Sequence, residues 1–248
     1  MNFIFQILLG SILFSSMLVA AELPVLNVGI ESFSPPFVMQ GSKKEIYGFD
    51  IDMMNTLCKM MQRTCYYHII RFDELLDAVA KKEIDIAISS ITITPERAKI
   101  VNFSTPYLLS YSRFLTKPST KVEPFTLQFL NEKKIGLEIG TIFPQQLTAM
   151  GVKNAQLKIY NSVADQLTAL NNDEVDIILL DNPTAMYWAA NSSDTFKLAG
   201  PAYMYGYGLG IAVNPDEGDL LVLLNQMLLK YQTSPEYQQN YDRYLLEF

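Results

Sequence analysis

Short apolar segments alternate with amphipathic ones along most of this chain, and this alternation constrains the fold more than any other feature. Residues 25–30 have the composition of a buried strand, and apolar residues recur at helical spacing over residues 49–61. The order then continues as strand, helix and strand over residues 66–70, 72–82 and 84–88. Strands that alternate with helices in this way indicate a mostly parallel sheet covered by helices.

A second unit of the same kind follows the polar stretch Lys117-Pro118-Ser119-Thr120, which has no apolar periodicity. Its predicted strands and helices alternate over residues 134–138, 141–150, 157–160, 162–170, 175–180 and 182–190. Residues 205–213 are extended and glycine-rich, and two helical stretches at 216–231 and 235–246 complete the chain.

We therefore expect an α/β protein of two lobes whose chain crosses between them twice, near residues 115–121 and 207–213. Lobe 1 would comprise residues 22–116 and 212–248, and lobe 2 residues 117–211. Two crossings permit hinge bending while restricting twist, which suits a cleft that opens and closes.

The first 21 residues differ in composition from the rest of the chain. They carry no charge, are almost entirely apolar and end in Val19-Ala20-Ala21, small residues that suit a signal peptidase site. We expect residues 1–21 to be a cleaved signal peptide, and the alternative is a retained membrane anchor. No cysteine lies near the junction, so no lipid anchor is expected.

Composition excludes several classes of partner and cofactor. The chain after the leader keeps the whole net charge of −7, which argues against nucleic acid or an anionic membrane as a partner. In an exported chain a disulfide between Cys58 and Cys65 is favoured, and two buried free thiols are the alternative. With His68 as the single histidine and no CxxC pair, no metal or cofactor is expected.

The run Ser89-Ser90-Ile91-Thr92-Ile93-Thr94-Pro95-Glu96-Arg97 suggests a binding site. A buried strand ends in hydroxyl residues, and Thr94-Pro95 then begins a helical turn. The Thr92 hydroxyl and the Arg97 guanidinium would lie at the C-terminal edge of the sheet, where open α/β sheets bind ligands. A guanidinium can hold a carboxylate by two parallel hydrogen bonds. The alternative is an ordinary surface arginine beside a capped turn.

The second unit offers complementary groups. Gly140-Thr141 stands between a strand and a helix, where free N–H groups favour an anion. Asp181 follows the strand at 175–180 and can either accept hydrogen bonds from an ammonium group or cap the helix after it. Arg97 in one lobe and Asp181 in the other would suit a zwitterion.

Several short runs stand in a recognisable order along residues 24–246. They are Gly48-Phe49-Asp50-Ile51-Asp52, Asp85-Ile86-Ala87-Ile88-Ser89-Ser90, Thr92-Ile93-Thr94-Pro95-Glu96-Arg97, Phe103-Ser104-Thr105-Pro106-Tyr107, Gly140-Thr141 and Val175-Asp176-Ile177-Ile178-Leu179-Leu180-Asp181. In content and order they resemble bacterial extracellular solute-binding proteins of the polar amino-acid family, which feed ABC importers. The resemblance implies a type II periplasmic-binding-protein fold and a location in the periplasm. Transport needs one cleft per chain and no segment suggests a coiled coil, so we expect a monomer. It also implies a free amino acid as ligand and an ABC permease of the inner membrane as partner.

The resemblance also assigns roles by position. Arg97 resembles the family's α-carboxylate clamp, assisted by Thr92 and by the backbone of Thr141 and Ile142. The family often has a threonine or a glycine where this chain has Ile142, so a hydroxyl contact is lost there while the N–H remains.

At the other end of the ligand, Asp181 resembles the α-ammonium acceptor, and Ser90 contributes its carbonyl. Phe72 resembles the wall against which the aliphatic part of the ligand stacks. Cys58 and Cys65 match a disulfide pair of the lysine–arginine–ornithine and histidine branch.

One departure concerns the aromatic residue that usually covers the ligand. It stands three places after the first acidic residue, Glu31, and is Ser34 here. Phe33 and Phe37 are the candidates to replace it.

Two glutamates bear on the identity of the ligand. Glu31 occupies the position where the family places an aspartate facing the ligand side chain, and Glu138 falls at a pocket-facing site of the second lobe. Two carboxylates in one cleft repel each other unless a cation lies between them. This favours a basic ligand, arginine before lysine or ornithine. The alternative is that Glu138 points to solvent and Glu31 binds a neutral group such as the amide of glutamine.

Two other functions remain open from the sequence. Some relatives on this scaffold are cyclohexadienyl dehydratases acting on arogenate or prephenate, which require a positioned general acid. Residues 181–185 lack the extra carboxylate that we would expect in such a dehydratase, although Glu138 is a candidate acid. We therefore expect that the protein is not an enzyme. The other function is a ligand-sensing module that presents the amino acid to a membrane receptor.

Overall fold

In the computed structural model, which describes residues 24–122 and 124–246, the strands form two five-stranded sheets and one two-stranded hairpin. The described strands, in chain order, are β1 (Val25–Ile30), β2 (Met39–Gln40), β3 (Ile46–Tyr47), β4 (Thr64–Ile69), β5 (Ile86–Ala87), β6 (Asn102–Phe103), β7 (Tyr111–Thr116), β8 (Lys134–Glu138), β9 (Gln156–Tyr160), β10 (Ile177–Asp181), β11 (Lys197–Met204) and β12 (Ala212–Val213). The leader expected at residues 1–21 lies outside the described residues.

Helices cover both sheets. The described α-helices are α1 (Phe49–Met60), α2 (Leu75–Ala80), α3 (Phe143–Ala149), α4 (Val163–Asn171), α5 (Asn182–Asn191), α6 (Gly218–Gln232) and α7 (Pro235–Tyr241). Single 3-10 turns occur at Phe72–Glu74, Arg97–Lys99 and Leu127–Leu130, and a π-helical turn at Asp242–Leu246. No helix in the described part of the chain is both long and apolar enough to cross a membrane.

The first lobe is built on the sheet β4-β1-β5-β12-β6. Strands β4, β1 and β5 are parallel, and β12 runs antiparallel to β5 and β6. Helix α1 buries its apolar stripe against this sheet, and the C-terminal helix α6 adds Leu224 and Leu228 to the same core. The return of α6 explains why the last part of the chain belongs to the first lobe.

The second lobe has the corresponding order β11-β7-β10-β8-β9, in which β9, β8 and β10 are parallel. Helices α3 and α4 pack into two separate cores on this sheet, because alternate residues of β8 and β10 point to opposite faces. Ser162 caps α4, since its hydroxyl oxygen accepts from the Asp165 N–H at 3.1 Å.

The chain crosses between the lobes twice, and the crossings lie side by side. The Leu209 N–H donates to the Leu108 carbonyl at 2.9 Å, and the Tyr205 N–H donates to the Ser110 carbonyl at 3.3 Å. The predicted two-lobed α/β fold is thereby confirmed. The first crossing precedes β7, whereas the sequence predicted it near 115–121 and ended the first part of lobe 1 at residue 116. This detail was wrong because β7 pairs with β10 and β11, so residues 111–116 belong to the second sheet.

The predicted disulfide is also confirmed. It joins Cys58 near the end of α1 to Cys65 of β4, with 5.9 Å between the two Cα atoms. The bond fastens α1 to an edge strand of the first sheet.

Candidate binding site between the lobes

Carboxyl ends of strands from both lobes meet at the cleft. Glu31 follows β1, Ser90 lies beyond β5, and Glu138 and Asp181 end β8 and β10. They lie around one small cavity, as expected for parallel strands whose carboxyl ends share a sheet edge. The cavity is lined by Glu31, Ser34, Phe72, Ser90, Glu138, Thr141, Phe143, Val163, Leu180, Asp181 and Thr184.

Polar and aromatic contacts connect the lobes across the cleft. The Ser90 hydroxyl donates to Asp181 Oδ2 at 3.0 Å, and Arg97 Nη2 donates to the Gly140 carbonyl at 2.8 Å. The ring of Phe33 in the first lobe also contacts the ring of Trp188 in the second lobe edge to face, with 6.3 Å between centroids. These contacts hold the two walls of the cavity together.

Arg97 is buried and closely held. Its Nη1 donates to the Thr92 carbonyl at 2.8 Å, so two of its five N–H donors bind backbone carbonyls, one in each lobe. Its guanidinium carbon lies 5.5 Å from the centroid of the Phe72 ring. Burial lowers the pKa of Arg97 to about 10 and the Asp181 charge opposes this, so the side chain remains a cation at neutral pH. Arg97 is therefore not an ordinary surface arginine.

Of the residues expected around a ligand carboxylate, one lines the cavity and three lie outside its lining. Thr141 lines the cavity, and its hydroxyl donates to the Glu138 carbonyl at 2.7 Å. Arg97 does not line this cavity but lies beside it, in a depression that shares Phe72. Thr92 is outside the lining, and its hydroxyl pairs with the Ser110 hydroxyl at 3.0 Å. Ile142 is also outside it, at the start of α3 and against the second-lobe core.

Asp181 occupies the N-cap position of α5 without capping it through its side chain. Its carboxylate instead accepts the hydrogen bond from Ser90. Loss of hydration raises the pKa of Asp181 to about 6, while the Ser90 hydrogen bond and the Arg97 charge act against the rise. The carboxylate thus faces the cleft and carries charge at neutral pH.

Glu31 and Glu138 are both buried, each 6% exposed. Glu31 Oε1 accepts from the Ser89 hydroxyl at 3.0 Å. Burial is the main cause that raises the pKa of both glutamates, and the charges of Glu31 and Asp181 raise the pKa of Glu138 further. Glu138 does not point to solvent. Three carboxyl groups in one cavity can all ionise only when a cation is present.

Ser34 and the two candidate cover residues, Phe33 and Phe37, lie in different surroundings. Ser34 lines the cavity itself. Phe37 is fully buried in the first-lobe core and is unavailable for this role. Phe33 reaches the second lobe through Trp188, so it closes one side of the cleft by a contact between the lobes.

Sequence reasoning missed four cavity residues: Phe143, Val163, Leu180 and Thr184. The Thr184 hydroxyl is buried and has no hydrogen-bond partner within residues 24–122 and 124–246. Its place in the first turn of α5, three residues after Asp181, was the available signal, because that turn begins at the sheet edge.

A larger cavity lies at the hinge and is lined by Pro106, Tyr107, Leu108, Leu109, Tyr111, Asn182, Pro183, Met186, Leu209, Gln232, Tyr237, Tyr241 and Leu245. None of these lining residues is charged, so this cavity offers no partner for the ends of a zwitterion. Among the described residues, no group of three or more His, Cys, Asp or Glu is arranged to hold a metal ion.

Comparison with known proteins agrees with this geometry. The family model described as "Bacterial extracellular solute-binding proteins, family 3" matches residues 26–247. The ABC transporter arginine-binding protein 1 of Escherichia coli K12 is 32% identical over 243 residues, covering 96% of this chain and 98% of that protein. The arginine-binding periplasmic protein of Mannheimia haemolytica is 34% identical over 220 residues, covering 87% of this chain and 89% of that protein.

One solved structure is similar to most of this chain. It is the periplasmic binding protein of an arginine transport system from Legionella pneumophila, with a TM-score of 0.84 and 34% identity. The alignment covers 90% of this chain and 100% of that one. The predicted type II periplasmic-binding-protein fold is confirmed. These relatives are binding proteins and not enzymes, so they do not support a dehydratase.

Proposed function

Because the chain belongs to the bacterial extracellular solute-binding proteins of family 3, we propose that it binds a free L-amino acid between its lobes. The preferred ligand is arginine, followed by lysine and ornithine. The protein acts as a monomer in the periplasm and delivers its ligand to an ABC permease of the inner membrane. The names of the similar proteins support this proposal, since all three mention arginine, one mentions an ABC transporter and two mention the periplasm.

The observation that carries the proposal is the charge of the cavity. Glu31, Glu138 and Asp181 line it together, and Arg97 beside it is the neighbouring cation. A neutral amino acid brings one positive group and one negative group, which leaves two carboxyl groups facing each other. Arginine brings a second positive group that can lie between Glu31 and Glu138.

The two ends of the amino-acid backbone have separate partners. Arg97 and the N–H groups of Thr141 and Ile142 take the α-carboxylate, a group that a planar guanidinium binds with two parallel hydrogen bonds. Asp181 and Ser90 take the α-ammonium group, and the existing hydrogen bond between them brings both acceptors to one point. Phe72 supports the aliphatic part of the ligand from the first lobe.

Binding and closure are then coupled. The ligand first contacts Arg97, Ser90 and Phe72 of one lobe, and closure adds Asp181, Thr141 and Glu138 of the other. The free energy of the added contacts shifts the population toward the closed form. The closed form is the shape that the permease recognises.

Glutamine is the second candidate, and one observation favours it. A raised pKa keeps part of the Glu31 and Glu138 population protonated, and a protonated carboxyl group can donate to an amide carbonyl. The same site can in that way accept a neutral polar side chain.

Isothermal titration calorimetry decides between these ligands. The chain without its leader is unfolded and refolded to remove any carried-over ligand, then titrated with arginine, lysine, histidine and glutamine. We expect arginine to bind most tightly. Tight binding of glutamine with no heat from arginine would contradict the basic ligand, and no heat from any of the four would contradict amino-acid binding.

A further inference from the structure

Asp50 is a fully buried carboxylate that lies behind the cleft and does not line the cavity. Its Oδ2 accepts two hydrogen bonds, from the Ser90 N–H at 2.9 Å and from the Tyr107 hydroxyl at 3.2 Å. Its Oδ1 is buried and has no hydrogen-bond partner in the described residues. A buried carboxyl group with one unpaired oxygen is costly, so its presence here calls for a reason.

Ser90 supplies that reason, because its backbone is strained. Its φ angle is +45°, in the left-handed region that non-glycine residues rarely occupy. Such a conformation persists only where surrounding groups hold it. Asp50 Oδ2 accepts the Ser90 N–H at 2.9 Å, and this bond is charge-assisted when the carboxyl group is ionised.

Asp50 is itself rigidly mounted. It lies in the first turn of α1, where the helix N-terminus favours a negative charge. Its own N–H donates to the Phe37 carbonyl at 3.1 Å. Gly48 before the helix has a φ of +133°, and a Cβ at that position would collide with the Phe37 carbonyl. The start of α1 is thus fixed against the loop that follows Ser34.

The strained residue is also the one that contacts the opposite lobe. With its N–H bound to Asp50, Ser90 directs its hydroxyl to Asp181 Oδ2 at 3.0 Å. We propose that Asp50 is a positioning residue that acts through Ser90 to shape the part of the cleft that receives the ligand's α-ammonium group. The role assigned to that part of the cleft rests on the proposed function.

The test compares Asp50→Ala with Asp50→Asn. The alanine variant removes the acceptor of the Ser90 N–H, whereas asparagine fills the same space and keeps an acceptor oxygen. We expect Asp50→Ala to weaken arginine binding by about tenfold or more, and Asp50→Asn to remain within about threefold of wild type. Because the α-ammonium group is common to all amino acids, Asp50→Ala should weaken citrulline, the neutral analogue of arginine, by the same factor.

Asp52→Ala is the matched control. Asp52 lies in the same turn of α1 and also accepts a tyrosine hydroxyl, that of Tyr244 at 3.0 Å, whereas the Ser90 N–H and hydroxyl bind Asp50 and Asp181. We expect Asp52→Ala to bind arginine with the affinity of wild type. An equal loss in Asp52→Ala, an asparagine variant as weak as the alanine variant, or a loss confined to arginine would each overturn the positioning role.

A second measurement needs neither a variant nor a ligand. Hydrogen exchange followed by NMR in the wild-type protein should find the Ser90 amide strongly protected, and rapid exchange there would overturn the proposal. If no amino acid binds while the Ser90 amide is protected, the proposed function fails and the geometry at Asp50 stands. The two failures are therefore distinguishable.

Discussion

The hydroxyl of Ser90 in the first lobe lies 3.0 Å from Oδ2 of Asp181 in the second lobe and donates a hydrogen bond to it. Both residues stand where a strand meets the cleft, so this bond joins the carboxyl edges of the two sheets. The Asp181 carboxylate accepts this hydrogen bond and does not cap α5. The same carboxylate is available to a ligand ammonium group at the point where the lobes meet.

Asp181→Asn should therefore impair binding of every amino acid, whatever its side chain. Removing one partner of a desolvated charge pair costs about 2–5 kcal/mol, which is about 30-fold or more in affinity. The melting temperature should change little, since the side chain does not cap α5. Calorimetry with arginine and glutamine measures the effect, and Asp219→Asn in the exposed first turn of α6 is the control. Unchanged affinity in Asp181→Asn would show that the ammonium group binds elsewhere.

Arg97→Lys should lose about as much affinity as Arg97→Ala. A lysine ammonium cannot bind the Thr92 and Gly140 carbonyls and also a carboxylate in the planar arrangement that Arg97 allows. We expect a loss of about 30-fold or more in both variants, measured by calorimetry. Lys99→Ala removes an exposed charge from the same turn and should bind as wild type does. Full affinity in Arg97→Lys would exclude bidentate carboxylate binding.

Gly140→Ala tests whether closure needs the close approach of the lobes. Gly140 has a φ of +77°, and a Cβ there would lie 2.6 Å from Asp73 Cα of the first lobe. Gly151 is the matched control because its φ is +78° and a Cβ there meets nothing within 4 Å. Both alanine variants should lose about 1–2 kcal/mol of stability, because a side chain is strained at a positive φ. Only Gly140→Ala should bind more weakly.

Trp188 supplies the optical readout for that comparison. It is the single tryptophan of the chain and contacts Phe33 of the other lobe. Ligand-induced closure should change its fluorescence in wild type and in Gly151→Ala, and change it less in Gly140→Ala. Equal affinities and equal fluorescence changes in the two variants would contradict the contact between Gly140 and Asp73.

Arginine binding should release protons. Burial raises the pKa of Glu31, Glu138, Asp50 and Asp181, with that of Asp181 at about 6 and that of Asp50 at about 7. The pKa of each group is higher in the native state than in the unfolded chain. At a pH between these two pKa values, the native state therefore binds more protons than the unfolded chain does. The stability without ligand therefore falls as pH rises from about 4 to about 7, where Glu31, Asp50 and Asp181 ionise. Glu138, whose pKa burial raises to about 10, extends this fall above pH 7.

A cationic ligand favours the ionised carboxylates, so arginine affinity should rise as pH rises from about 4 to about 7. Each proton released contributes up to about tenfold per pH unit. Arg97 remains charged throughout, because its pKa is about 10. Calorimetry at pH 6 in two buffers of different ionisation enthalpy counts the protons. Net proton uptake on arginine binding is the outcome that contradicts the charge argument.

Much of the fold was predictable because local patterns agree with it. The order of strands and helices followed from apolar periodicity, and α1 and α5 differ from their predicted bounds by one residue at the C-terminal end. Strand β11 was missed because Gly200-Pro201 interrupts it, and its register against β7 shifts between Ala199 and Tyr203. The first crossing was misplaced because a Pro and polar residues mark a surface loop as readily as a linker.

The site was predictable where it follows a strand end and unpredictable where it depends on packing. Asp181 and Glu138 end strands, so sheet topology alone brought them to the cleft. The bond from Ser90 to Asp50 spans 40 residues of sequence and depends on how α1 packs. No local pattern encodes that distance, and the strain at Ser90 appears only in the folded backbone.

Calorimetric comparison of arginine with citrulline, in wild type and in Glu138→Gln, tests the central claim most directly. Citrulline has nearly the shape of arginine without its side-chain charge, so the affinity ratio measures recognition of that charge. Glu174→Gln, an exposed change in the same lobe, is the control. We expect wild type to prefer arginine by about tenfold or more, and Glu138→Gln to lose most of that preference while citrulline stays within about threefold. Equal affinity of wild type for both ligands, or equal loss of both in Glu138→Gln, would contradict a cation site between Glu31 and Glu138.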